Sequence, residues 1–391
     1  MTSFERVKLG DLVTWAKGCG IPRDYTSVDK AIPYLHYGDL YKKYDHCLVL
    51  PDVIRNIIKI DNLDSVKEFQ MLHDGDIVFA LTSETVDDLG HCTLIINPDD
   101  DPFVSGMETT VLHLKESNKV LPSYLNYVFQ EDRFRRIMRQ YVTGMKVYRV
   151  HPNDMMKIEI NLPTLDDQAK IVKVLDSFSR AITNLSKIND NLLNICKTQY
   201  RQIINNSSKS ILLSDLAEVC YGKDHKQLKD GNYPVYGSGG IMRYCEKPLY
   251  SGKESVLIPR KGTLNNVIFA SKPFWSVDTM FYTKMKNIYA GKYLYFWLSG
   301  TNLTEMNTGS AVPSMTAEIL NNIEIPYPGD QIIKIFDKSI QSLFDEIELN
   351  KQYIAHLTTI RDYILPKLIS GAINIDDVYS ATKYSFNPTN Q

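Results

Sequence analysis

The longest ordered pattern of apolar positions runs over residues 167–203. Ile171, Leu175, Phe178, Ile182, Leu185, Leu192, Cys196 and Ile203 follow one another in steps that alternate four and three, with Asn189 and Gln199 filling the two gaps. This is the a/d seam of a heptad helix, kept for about five heptads. It predicts a long helix that buries one narrow stripe against another helix. A second stretch, 330–370, keeps the same alternation through Phe336, Ile340, Leu343, Ile347, Asn350, Ile354 and Leu357. Each helix is introduced by a short strand-like run and a proline: Ile158, Glu159 and Ile160 before Pro163, and Ile323, Glu324 and Ile325 before Pro328. The chain therefore reads as block, long helix, block, long helix.

Inside the first block, short β-type runs alternate with turns. Residues 77–80, 92–96 and 109–113 predict strands, and Pro122 opens a predicted helix that continues through Gln140. The second block repeats this order. Pro102-Phe-Val-Ser105 returns as Pro273-Phe-Trp-Ser276, Tyr124-Leu-Asn-Tyr127 as Tyr293-Leu-Tyr-Phe296, and Thr143-Gly144 as Thr308-Gly309. Ile158 to Ile160 returns as Ile323 to Ile325, and Asp167-Gln168 as Asp330-Gln331. At the front, Leu9-Gly-Asp-Leu12 matches Leu213-Ser-Asp-Leu216. The separation drifts slowly in one direction, as in two diverged copies of one unit. The first copy is longer, and most of the extra residues are expected between Gly20 and Gly75.

Composition narrows the class. At 391 residues the chain suits two domains plus connecting elements. A hydrophobic content of 43% and a charged content of 23% are those of a soluble globular protein. No apolar run approaches a membrane span, and the first residues lack the layout of a signal peptide. The six cysteines form no C-x-x-C pair, so they read as reduced cytosolic thiols and argue against structural zinc. The net charge of −2 gives no global electrostatic case for nucleic acid, so local basic patches must carry any such contact.

Two stretches offer that chemistry. Arg133, Arg135, Arg136, Arg139, Lys146 and Arg149 form the densest basic cluster, with Tyr141 and Tyr148 interleaved. Such a surface neutralises phosphates and packs on sugars; the same residues also suit a solvated helix face. In the second block, residues 233–240 make a glycine-rich turn that contains Tyr236 and Ser238. Residues 256–263 make a strand that ends in a basic loop with Arg260, Lys261 and Thr263, followed by Asn265 and Asn266. Arg favours guanine edges and Asn adenine edges. A hairpin whose Gly and Asn merely satisfy a turn fits the same residues.

No reaction centre emerges. Gly237 to Gly240 is followed by no G-K-[ST], and it is not a dinucleotide fingerprint. The Asn/Asp-Pro-Pro-aromatic motif of amino-methyltransferases is absent, because Asn97-Pro98-Asp99 and Asn387-Pro388-Thr389 do not match it. Asp224, His225 and Lys226 lack a suitably spaced acidic partner for a nuclease site. The adjacent pairs His46-Cys47 and His91-Cys92 are poor metal-ligand geometry.

Taken together, these motifs resemble the specificity (S) subunits of type I restriction–modification systems. The likeness is carried by residues 233–238, by Arg260, Lys261 and Gly262, by Phe274, Trp275, Asp278 and Thr279, and by residues 308–313. Residues 365–371 are similar to the family's C-terminal helix ending. The likeness spans the full length, although the first block has Leu81, Thr82, Ser83 and Glu84 where the second has Pro259, Arg260, Lys261 and Gly262.

The resemblance implies an α+β fold with a pseudo-two-fold internal repeat. Two β-rich target-recognition domains, 1–165 and 209–328, would be joined by two long antiparallel coiled-coil helices at 166–208 and 329–375, with a flexible tail at 376–391. Each domain would read one half of a split double-stranded DNA site. The chain would have no catalysis of its own and would dock two methyltransferase subunits, with restriction subunits in the full complex. S-adenosylmethionine, ATP and magnesium would belong to those partners, the location would be cytoplasmic and the modified base would be adenine. The candidate DNA-binding residues are Arg260, Lys261, Thr263, Asn265, Asn266, Tyr236, Ser238, Arg136, Arg139, Lys146 and Arg149. Two rival readings remain: a DNA-reading fragment of a fused restriction–methyltransferase enzyme, which the absent methyltransferase motifs reduce to a separate-subunit arrangement, and a coiled-coil adaptor with two β-rich heads and no DNA role.

The helices carry one further expectation. Asn189 and Asn350 occupy seam positions near the middle of each helix, so an antiparallel pair brings them together. A buried Asn leaves its amide unpaired in any slipped register, which selects one alignment. Both would equally fit the exposed edge of the seam.

Overall fold

The computed structural model describes residues 4–44, 46–115, 119–205, 207, 209–306 and 314–385. The chain divides into two compact units, residues 1–183 with 354–391, and residues 184–353. The division falls inside both long helices, Leu165–Ile204 and Asp330–Ile369, which have 40 residues each. At 1.5 Å per residue each is roughly 60 Å long. The sequence drew these helices as segments apart from the heads, whereas each head shares a core with one end of each helix.

In the first unit, a five-stranded sheet runs in the order Val13–Lys17, Thr110–Leu114, Ile77–Ala80, His91–Ile96, Cys47–Val49. All neighbours are antiparallel except the last pair. Ile77 and Phe79 face a core that also holds Ile171, Leu175 and Phe178 from the first long helix and Leu365 and Leu368 from the second. Val78 and Ala80 face the opposite core, with Leu35, Leu40 and Phe103. The strand is buried on both faces, which is why it reads as an unbroken apolar run rather than an alternating one. A smaller sheet places Ile32–Leu35 between antiparallel Lys59–Ile60 and parallel Val104–Ser105. Glu5–Lys8 pairs with Glu159–Leu162 just before the first long helix.

The second unit repeats this plan. Its four-stranded antiparallel sheet is ordered Ala217–Tyr221, Met280–Met285, Ser255–Pro259, Ile268–Ala270. Val256 and Ile258 face Cys196 and Tyr200 of the first long helix and Phe336 and Ile340 of the second, while Leu257 faces the other way, toward Phe274. Tyr233–Gly237 lies between antiparallel Gly240–Cys245 and parallel Trp275–Ser276. Ser210–Leu212 pairs with Glu324–Pro326 before the second long helix. The repeat inferred from scattered tetrapeptides is thus a repeat of strand pairings. The additional residues of the first copy include helices Tyr37–Lys42 and Leu50–Val53 and the strand Cys47–Val49.

In the first unit the opening turns of the first long helix share a core with the closing turns of the second. In the second unit the closing turns of the first pack against the opening turns of the second. Within each unit the two helices therefore run antiparallel.

Two elements differ from the sequence reading. The helix predicted over 122–140 is two helices, Pro122–Gln130 and Asp132–Arg139, separated at Glu131, whose backbone is extended (φ −68°, ψ 135°). The break lets Phe134 and Met138 join the same core as Leu125, Val128 and Phe129. Residues 376–391, read as a flexible tail, begin with a helix, Ile375–Ser385. Ile375 is buried, and Lys170 Nζ lies 2.9 Å from Asp376 Oδ1. Lys173 Nζ donates to the Tyr379 hydroxyl at 2.9 Å, so the helix is held against the start of the first long helix. The remaining residues, 386–391, lie outside the described ones.

Candidate nucleic-acid interface

In the second unit, the strand Ser255–Pro259 delivers its C-terminal loop beside the turn of the hairpin 233–245. The Asn266 side-chain amide donates to the Ser238 carbonyl at 2.7 Å. A Cβ on Gly262, whose φ is +84°, would touch the Ser238 hydroxyl, so the loop takes a left-handed turn where the two segments meet. Asn265 Nδ2 donates to Asn302 Oδ1 at 3.1 Å, and Asn265 Oδ1 accepts from the Thr304 N–H at 3.3 Å. Both asparagines therefore have structural partners that fix the loop. Lys261 and Thr263 are exposed, while Tyr236 and Ser238 are half-buried. Tyr236 packs edge-on to Phe274, and burial raises its hydroxyl pKa.

Arg260 is the most constrained cation of this loop. Its backbone N–H donates to the Thr279 carbonyl at 2.8 Å, and its carbonyl accepts from the Met315 N–H at 2.9 Å. Its guanidinium lies 5.3 Å from the centre of the Tyr221 ring, and Nη1 donates to the Asp278 carbonyl at 3.3 Å. An Arg held over an aromatic face retains free N–H groups for a carbonyl or phosphate acceptor. Tyr221 was not singled out from the sequence. Its place follows from the pairing of Tyr221 with Phe281 at the edge of the same sheet, 39 residues before Arg260.

The first unit distributes its charge differently. Arg136 Nε bonds back to the Asp132 carbonyl at 3.3 Å, and Arg139 pairs with Asp87 at 3.2 Å. Lys146 and Arg149 stand apart from that helix, on a hairpin whose strands are Val142–Thr143 and Tyr148–Val150. Its second strand pairs with Thr82–Ser83. The Val150 N–H donates to the Leu81 carbonyl, as the Met315 N–H does to that of Arg260. Both copies therefore join the same two segments, but the first carries its cations on the second segment and the second copy on the first. The basic cluster read as one surface is thus split between a helix with internal partners and an exposed hairpin. Residues 308–313, aligned with the start of that hairpin in the second copy, lie outside the described residues.

Asn189 and Asn350 meet in the second unit. Asn350 Nδ2 donates to Asn189 Oδ1 at 2.9 Å, and Asn189 Nδ2 lies 3.5 Å from the Ile347 carbonyl. Asn189 is 8% exposed and Asn350 3%, so both are inside the seam rather than at its edge. Deeper in this unit, Lys292 is enclosed (1% exposed) between Glu254 and Asp337, with Asp337 at 2.7 Å. Burial raises the Glu254 pKa against the lowering effect of Lys292.

The comparisons with known proteins agree with this architecture. The model of the type I restriction modification DNA specificity domain matches residues 1–194 and again 205–359, so it covers both copies. The chain belongs to that family. It is similar to the specificity subunit of the type I restriction enzyme MjaIX of Methanocaldococcus jannaschii, at 22% identity over 309 residues, 66% of this chain and 71% of the relative. It is also similar to the HindI specificity subunit of Haemophilus influenzae, at 27% over 129 residues, 32% of this chain and 28% of the relative. The crystal structure of a type I restriction–modification S subunit from M. genitalium shares the fold, with a TM-score of 0.56 at 16% identity over 94% of this chain and 96% of that one.

The chain is therefore a DNA specificity subunit of a type I restriction–modification system, the recognition component and not the catalytic one. The adaptor reading is not favoured. Among the described residues no helix is long and apolar enough to cross a membrane, and no group of three His, Cys, Asp or Glu side chains is placed to hold a metal ion.

Proposed function

We propose that each β-rich unit reads one half of a bipartite double-stranded DNA site, and that the second unit does so through the 259–266 loop. The observation that carries this reading is the convergence of Arg260, Lys261 and Thr263 with the Ser238 turn, with Arg260 held over Tyr221. Arg260 is oriented for a guanine edge or a phosphate, and Lys261 supplies a point charge for a phosphate. Asn265 and Asn266 hold the loop rather than reading bases. Arg136, Arg139, Lys146 and Arg149 supply the first unit's phosphate contacts, led by the two hairpin cations.

The chain docks two methyltransferase subunits and, in the full complex, restriction subunits. The Asn189–Asn350 contact fixes helix register and with it the spacer between half-sites. This chain holds no cofactor of its own; S-adenosylmethionine, ATP and magnesium belong to the partner subunits, in the cytoplasm. Gel-shift titration of the chain with its methyltransferase partner over a random duplex library tests this. Selection of one split motif is the expected result, and retention of all sequences alike would contradict it.

A further inference from the structure

The hairpin at 142–150 combines features that its two cations do not explain. Its base is built into the first unit's core: Val150 is buried, and Tyr148 and Val142 pack against it. Its tip is apolar and bare. Met145 is 91% exposed and Val147 43%. Gly144 sits at φ +101°, and a Cβ there would collide with the Val147 carbonyl, so the tip is a tight turn. The Thr143 hydroxyl donates to the Arg149 carbonyl at 3.3 Å and closes the hairpin below it. Lys146 stands between Met145 and Val147 along the turn, Arg149 follows two residues after Val147, and both cations are exposed.

An exposed apolar turn that carries two exposed cations on the same hairpin matches a duplex, where cations meet phosphates and an apolar group enters between base steps. We infer that Met145, supported by Val147, is a wedge that unstacks a base step in the half-site read by the first unit, making it a specificity-determining residue. This rests on the reading of the chain as a two-part DNA reader. It also gives the first unit a reading element distinct from the second unit's loop. At the aligned position the second copy has Ser310, and Ala311 stands where Lys146 does. Deformable pyrimidine–purine steps admit such a wedge at least cost, so the step beneath Met145 is expected to be one.

The test uses the full chain assembled with its methyltransferase partner. The motif methylated by the wild-type complex is mapped first, and duplexes of that motif then carry 2-aminopurine at each step in turn. Wild type should raise fluorescence at one step of one half-site. Met145→Gln should abolish that rise and weaken binding of the cognate duplex by roughly tenfold, the scale of one lost base-step contact. Met145→Leu should keep both. Arg260→Ala should leave the fluorescent step intact and disturb the other half-site. An unchanged signal and affinity in Met145→Gln would overturn the wedge while leaving the two-part reader standing. So would an equal loss on every duplex, or weakened assembly with the methyltransferase at unchanged DNA affinity. Absence of any sequence-selective binding by wild type would overturn both.

Discussion

Arg260 is held in a set orientation. Its backbone is fixed on both sides, and its guanidinium lies over Tyr221. Arg260→Lys keeps the charge but loses the planar fork. It is expected to retain phosphate attraction and lose selectivity at one base, by about 1–3 kcal/mol, read as the affinity ratio between the cognate duplex and single-base variants. An equal loss on every duplex would make Arg260 a phosphate anchor. Lys292 illustrates the opposite use of a cation. It is sealed between two carboxylates beside Phe269 and Phe344. Lys292→Met leaves Glu254 and Asp337 as buried like charges, so a stability loss of about 3–5 kcal/mol in urea unfolding is expected. A loss below about 1 kcal/mol would mean that water reaches the pair. The sequence offered Arg260 as a DNA-binding candidate but not its seat over Tyr221, and it gave no sign of the Lys292 pairing. Lys292 reads there as an ordinary helix lysine, and the partners come from positions 38 residues before it and 45 after it.

At the scale of elements, the heptad spacing located both long helices to within a few residues, because a buried seam imposes a strict period. It also put Asn189 opposite Asn350. Replacing Asn350 alone by Leu strands the Asn189 amide in the seam and should cost about 1–3 kcal/mol. Replacing both by Leu should recover much of that and loosen the spacer length accepted between half-sites. An unchanged spacer in the double variant would count against a register role. The helix over 122–140 was misread because periodicity cannot detect a single extended residue such as Glu131.

A second lock joins neighbouring strands. His113 Nδ1 and Asp76 Oδ1 are 2.9 Å apart, and this contact raises the His113 pKa. The folded state therefore favours the imidazolium. Its contribution to stability is fully present below the unfolded value of about 6.5 and fades as pH rises through the higher folded value. His113→Gln should lose more stability relative to wild type at pH 6 than at pH 8.5, measured by urea midpoint. An equal difference at both would exclude the linkage.

For the whole molecule, the repeat was legible because paired strands and turns constrain a few residues strongly, and these survive as matching tetrapeptides in both copies. The surface between them is under no such constraint. The alignment of the copies showed that the first copy's loop lacks the second's cations, but not that this loop pairs with the hairpin that carries Lys146 and Arg149. That pairing emerges once Val150 is seen to bond Leu81 as Met315 bonds Arg260. Two copies with one scaffold and unlike reading edges imply one chain that recognises two different half-sites. The most direct test is to sequence the modified bases in DNA of a host that expresses this chain with its methyltransferase partner. The account predicts a single motif of two unlike, specified halves separated by a fixed run of unspecified bases. A continuous motif, a symmetric one, or modification without sequence preference would contradict it.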